Sequence, residues 1–66
     1  VRLRVNGAEQ EYADGLCGRQ LLEAIDWTAA TLVAEVNGRI VRRDEFLALE
    51  LRDGDELELV TVVGGG

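Results

Sequence analysis

The sequence predicts an α+β domain in which one helix lies on one face of a mixed sheet. Three observations carry this. Stretches such as Val1-Arg2-Leu3-Arg4-Val5 alternate strictly, the period of a strand buried on one side. One stretch, around Leu21, Leu22 and Ile25, has instead the spacing of an amphipathic helix. Asn-Gly occurs twice, at Asn6-Gly7 and Asn37-Gly38, each time directly after a strand-like segment. It is the strongest short hairpin signal, because both central residues of a type I′ turn need φ > 0. At 66 residues the chain makes one domain. A domain of this size buries only about 60% of the surface its unfolded chain exposes, so one helix on one sheet is what it can build.

In chain order, Val1, Leu3 and Val5 point inward while Arg2 and Arg4 point out. The return strand, about Ala8 to Ala13, is mostly polar, as an edge strand is, with Tyr12 able to pack inward. Asp14-Gly15 breaks it, and the helix runs from Gly18 to Asp26, with Arg19, Gln20 and Glu23 facing water. Trp27 covers one end of the core. A strand from Thr31 to Val36 places Leu32, Ala34 and Val36 on one face, and the second Asn-Gly leads into Arg39-Ile40-Val41. Arg42 to Glu45 reads as a single helical turn on a solvated surface, with Phe46 packed inward and Leu49 and Leu51 returning to the core. Asp53-Gly54-Asp55 is a turn, not a calcium loop, because the spaced ligands and the Glu of that motif are missing. The last strand runs from Glu56 to Val63. Leu57, Leu59, Thr61 and Val63 face the helix; Glu56, Glu58, Val60 and Val62 face away. Its outer face therefore starts acidic and becomes apolar towards the end of the chain.

Composition narrows the function. The chain has no His, Ser, Lys, Met or Pro. Without His, neither a Ser-His-Asp nor a Cys-His arrangement can be built, and without Lys there is no phosphate-binding P-loop. No metal site rich in His and Cys is available, and no catalytic group stands out. The net charge of −6, with seven scattered arginines, lacks the positive footprint that nucleic acid requires. No apolar run approaches the roughly 20 residues of a membrane span, and nothing marks secretion. Cys17 is alone, which fits the reducing cytoplasm. It stands near the helix start, either as a thiol activated by the helix dipole or as a small apolar residue at the helix entrance.

The most informative stretch is the tail. A β-branched run, Val60-Thr61-Val62-Val63, passes directly into Gly64-Gly65-Gly66. Glycine lacks a Cβ and can thread a slot too narrow for any other residue. An unhindered carboxylate on Gly66 suits chemistry performed on it by another protein. The division expected is a folded domain over 1–63 and a Gly-Gly-Gly tail over 64–66.

The hairpin, helix, hairpin and final strand resemble the β-grasp, or ubiquitin-like, arrangement of four to five strands with one main helix. Within it the chain resembles the ThiS family, the sulfur carriers of bacterial thiamine biosynthesis. The resemblance rests on Val5-Asn6-Gly7, Val36-Asn37-Gly38-Arg39-Ile40-Val41 with Arg43, Leu51-Arg52-Asp53-Gly54-Asp55-Glu56-Leu57-Glu58-Leu59-Val60, and Val63-Gly64-Gly65-Gly66. Arg42 departs from it, standing where proline is frequent. The resemblance implies a protein cosubstrate and not an enzyme. An E1-like adenylating enzyme would consume ATP to adenylate Gly66, and a cysteine desulfurase system would supply sulfur. The resulting thiocarboxylate would pass its sulfur to thiazole synthase. No cofactor would be held by the chain itself. The same arrangement implies adjacent, parallel first and last strands, with Arg2 and Arg4 beside Glu56 and Glu58. Val33, Val60 and Val62 would form an apolar docking patch next to the tail. The small subunit of molybdopterin synthase, a ubiquitin-like modifier acting through Gly66, and a plain binding module are the alternatives.

Overall fold

The computed structural model describes residues 1–27 and 32–61. The elements are β1 (Arg2–Val5), β2 (Ala8–Glu11), α1 (Gly18–Ala24), β3 (Leu32–Val36), β4 (Arg39–Val41), α2 (Arg43–Ala48) and β5 (Glu56–Thr61). The five strands form one sheet in the order β2-β1-β5-β3-β4. β1 and β5 are neighbours and parallel, as expected, while the other pairs are antiparallel. Asn6 and Asn37 sit at φ 50° and 52° and Gly7 and Gly38 at 84° and 83°, so both Asn-Gly pairs make the turns their sequence predicts.

The inner face of the sheet supplies Leu3 and Val5, Leu57 and Leu59, and Leu32 and Ala34 to the core; Leu16, Leu21, Leu22, Phe46 and Leu51 close it from the other side. Alternation in β1 and β5 puts Leu3, Val5, Leu57 and Leu59 inside and each charged residue outside, with Val60 also facing outward. Trp27 and Tyr12 pack partly buried against this core.

Several boundaries differ from the sequence reading. The first helix stops at Ala24, not Asp26. Asp26 is left-handed at φ 57°, its N–H donates to the Glu23 carbonyl at 3.2 Å, and the Trp27 N–H donates to the Leu22 carbonyl at 2.8 Å. This double closure is a Schellman motif with Asp in the position usually given to glycine, which hides the helix end from a sequence reading. The return strand ends at Glu11, not Ala13. The stretch after β4 is not a single turn but a six-residue second helix, with Phe46 fully buried on its inner side. Thr61 is exposed and not buried against the helix. The expected strand ends at Thr31, Val62 and Val63 lie outside the described residues, as does the tail.

Candidate functional site

The end of β5 carries the features the sequence singled out. On its outer face, Val60 stands directly opposite Val33 of β3, and Glu58 stands opposite Glu35. Ile40 of β4 is paired with Glu35 in turn. Val33 is 39% exposed, Val60 55% and Ile40 76%; these are the large exposed apolar residues among those described. Two of the three expected patch residues are thus brought into one cross-strand pair, whereas Val62, Gly64, Gly65 and Gly66 lie outside the described residues. By chain connectivity they follow Thr61, the residue next to Val60.

The charges divide this face in two. Over β1 and β2 they are compensated. The Arg2 guanidinium donates to Glu9 at 3.1 Å and to Glu11 at 3.2 Å. These contacts, the Glu9 hydrogen bond foremost, raise its pKa further above the ordinary value. Arg4 lies 3.9 Å from Glu9 and 3.8 Å from Glu56. The expected neighbourhood of Arg2 and Arg4 with Glu56 and Glu58 is only half met. Parallel pairing sets Arg4 against Glu56, and Glu58 lies past the end of β1. Over β3 and β5, in contrast, Glu35 faces Glu58 with no ion pair to either among the described residues. Like charges directly opposite each other on a sheet are destabilising. The acidic pair and the apolar pair therefore sit side by side, at a position that folding alone does not favour.

Two asparagines bond the backbone of β5, one at its start and one in its middle. Asn37 Oδ1 accepts from the Glu56 N–H at 2.9 Å, and Asn37 Nδ2 donates to Asp55 at 2.9 Å. Asn6 Oδ1 accepts from the Leu59 N–H at 2.8 Å. The sequence reading used both residues only as turn formers. The signal that could have shown more is the repeated Val-Asn-Gly, placed before each hairpin turn.

Cys17 is half-buried at the entrance of α1. Its N–H donates to Gln20 Oε1 at 3.0 Å, and its backbone bridges to Glu50, so the structure gives it a place in the packing of the helix start. Among the described residues no group of three or more acidic, His or Cys side chains is placed to hold a metal ion, and no helix is long and apolar enough to cross a membrane.

Comparison with known proteins agrees with this geometry. The model of the ThiS family matches residues 3–66. The crystal structure of the thiamine biosynthesis protein ThiS from Geobacter metallireducens superposes with a TM-score of 0.81 at 33% identity, covering all of both chains. The sulfur carrier protein ThiS of Escherichia coli is 29% identical over 66 residues, again over the whole of both. The thiazole synthase of Paramagnetospirillum magneticum is 29% identical over the same 66 residues, and this chain spans 20% of its length.

Proposed function

The chain belongs to the ThiS family, and from that premise we propose that it is a sulfur carrier of thiamine biosynthesis whose Gly66 is the reacting residue. One observation carries the reading: the family match runs through Gly66, which supports taking the triple glycine as part of the family pattern. A carboxylate is a poor electrophile. Attack of the Gly66 carboxylate on the α-phosphorus of ATP, in an E1-like partner, releases pyrophosphate and leaves an acyl adenylate. A persulfide sulfur from a cysteine desulfurase system then attacks the acyl carbon and AMP departs. A further thiol takes the donor cysteine as a disulfide, which leaves the thiocarboxylate. Thiazole synthase is the acceptor of that sulfur. Apart from the Gly66 carboxylate the carrier supplies no catalytic side chain of its own, in keeping with a sequence that holds no His, Ser or Lys.

Val33 and Val60 would dock the partner, with Val62 continuing the patch, while the five residues beyond Thr61 reach up to roughly 17 Å when extended. Gly64 and Gly65 act by steric permission, as a narrow channel admits backbone without side chains.

The test is intact mass after incubation with ATP, the adenylating enzyme and the sulfur donor. One terminal oxygen is expected to be replaced by sulfur, with the change mapped to Gly66, and the sulfur should be lost on addition of thiazole synthase together with the precursors of the thiazole ring that accept it. Deleting Gly66 should abolish the reaction with no change in the urea midpoint, because a terminal residue holds few contacts and, among the described residues, the buried core reaches no further than Leu59. Gly65→Val should fold and react poorly, since a β-branched side chain is both bulky and stiff. Full transfer by a chain ending at Val63, or sulfur found on Cys17, contradicts the reading.

A further inference from the structure

We propose that β4 is the contact of a reversible two-fold dimer, in which β4 of one chain adds to β4 of a second copy and the two sheets become one. The inference goes beyond the carrier reading and does not depend on it, because nothing in the chemistry of the tail calls for a second copy.

The order of the sheet leaves two outer strands, β2 and β4. The outer edge of such a strand offers N–H and C=O groups to any other strand, and charge or distortion usually guards it. β2 is guarded in this way: all of its residues are exposed, and Glu9 and Glu11 stand on it, both bonded to Arg2. β4 instead carries Ile40 at its centre, the most exposed large apolar residue among those described. A β-branched apolar side chain in that position favours strand pairing and does not discourage it.

Alternation along the strands shows which backbone groups face outward. The Asn37 N–H donates to the Glu56 carbonyl at 2.8 Å and is thus aimed at β5. The N–H and C=O of Val36, one residue earlier, are then aimed at β4, where Val36 is paired with Arg39 and Ala34 with Val41. Ile40 lies between Arg39 and Val41, so its N–H and C=O point away from β3, out of the sheet edge. In an antiparallel hydrogen-bonded pair the two residues exchange both bonds. Ile40 makes such a pair with Ile40 of a second copy, and the two-fold axis passes between them. One residue on each chain satisfies both outward groups of the other, and the two isoleucine side chains meet on the outer face, the face of Glu35.

The same axis arranges the charges. Pairing Ile40 with its counterpart sets Arg39 opposite Val41 of the second copy. Arg39 and Glu45 line a groove between β4 and α2, together with Val41, Ala48 and Leu49. Neither has an ion pair among the described residues. The grooves of the two copies meet across the axis, and Arg39 of each chain faces Glu45 of the other. A two-fold interface needs such a self-complementary patch, since every contact is made twice. The segment from Arg39 to Glu45 holds three arginines against two acids, in a chain of net charge −6. Two copies therefore meet where their mutual repulsion is small. The pairing covers neither Val33 nor Val60, which belong to β3 and β5. Strands this short make an interface below the roughly 1,200 Å² of stable complexes, so the dimer is weak and governed by concentration.

The test is sedimentation velocity and amide hydrogen exchange on the unaltered chain from about 10 µM to about 1 mM, the range of weak, transient contacts. The mass is expected to rise from 7.2 kDa towards twice that value. Exchange of the Ile40 amide should slow over the same range. The Tyr12 N–H donates to the Val1 carbonyl, so by alternation the Glu9 amide points out of the β2 edge, and its exchange should stay constant. Ile40→Asp should abolish the rise in mass and leave the urea midpoint unchanged, because the side chain is exposed. Arg39→Glu and Glu45→Arg should each weaken association by about tenfold, since each sets like charges together across the axis. The double variant, which exchanges the two charges, should recover most of that loss. A chain that stays monomeric at the highest concentration, a dimer that survives Ile40→Asp, or a charge exchange that recovers nothing overturns the proposal. So does protection of Glu9 in place of Ile40, which would put the contact on β2.

Discussion

Gly18 shows how much one missing side chain can decide. It opens α1, is buried, and donates its N–H to the Leu49 carbonyl at 2.9 Å. A Cβ built there collides with the backbone carbonyl of Phe46, an atom of α2 that cannot move aside as a flexible side chain would. The two helices meet at this point, so the contact requires glycine for space and not for an unusual φ. Gly18→Ala is expected to cost about 2 kcal/mol or more, the scale of overpacking in a rigid interior. The readout is a lower urea midpoint at unchanged slope. For a domain this small, whose core rarely supplies more than about 3–5 kcal/mol, that is a large part of the total. A midpoint equal to that of the unaltered chain would mean that α1 and α2 separate easily.

At the scale of elements, β5 has one face in the core and one exposed. Leu57 and Leu59 hold the strand in the core, and Val60 faces outward against Val33. Because the side-chain period is two, a change on the outer face leaves the inner one in place. Val60→Asp is therefore expected to cost only about 1 kcal/mol of stability, the span of strand preferences. It should weaken association with the adenylating enzyme by about tenfold or more, as loss of an apolar anchor does. Titration calorimetry on folded protein checks this, with Val33→Asp as the second member of the pair. Undiminished binding by both would move the docking surface off this face.

For the molecule as a whole, the charge of −6 is not spread evenly. Arg2 and Arg4 compensate the outer face at one side of the sheet, while Glu35 and Glu58 face each other at the other. Glu58→Gln removes one member of the uncompensated pair and lowers the overall repulsion at once. It is expected to raise stability by a few tenths of a kcal/mol at low salt, with a gain that shrinks as salt screens the surface. A loss of stability at low salt would show that Glu58 is held by attraction and not tolerated against repulsion.

Local pattern determined most of the elements. Alternation identified the faces of β1, β3 and β5, since a period of two is a property of the strand itself, and both Asn-Gly pairs announced their turns through backbone sterics alone. The exposed apolar pair was half legible for the same reason: Val60 and Val33 each read as outward-facing. What tertiary structure decided were the matters of register and approach. The end of α1 was hidden because Asp26, not glycine, takes the left-handed position. Gly18 read as an ordinary helix opener until Phe46 was packed against it. Arg2 found Glu9 and Glu11 in place of Glu58, because register along a parallel pair depends on the crossover and not on either strand. The two Val-Asn-Gly segments are alike in sequence, yet Asn37 reaches the Glu56 N–H at the start of β5 and Asn6 the Leu59 N–H in its middle. β3 runs antiparallel to β5 and β1 runs parallel to it, and both end opposite Leu57, so the asparagine after β3 meets the residue before Leu57 and the one after β1 meets a residue beyond it. That difference is one of strand direction, and no residue in either segment encodes it.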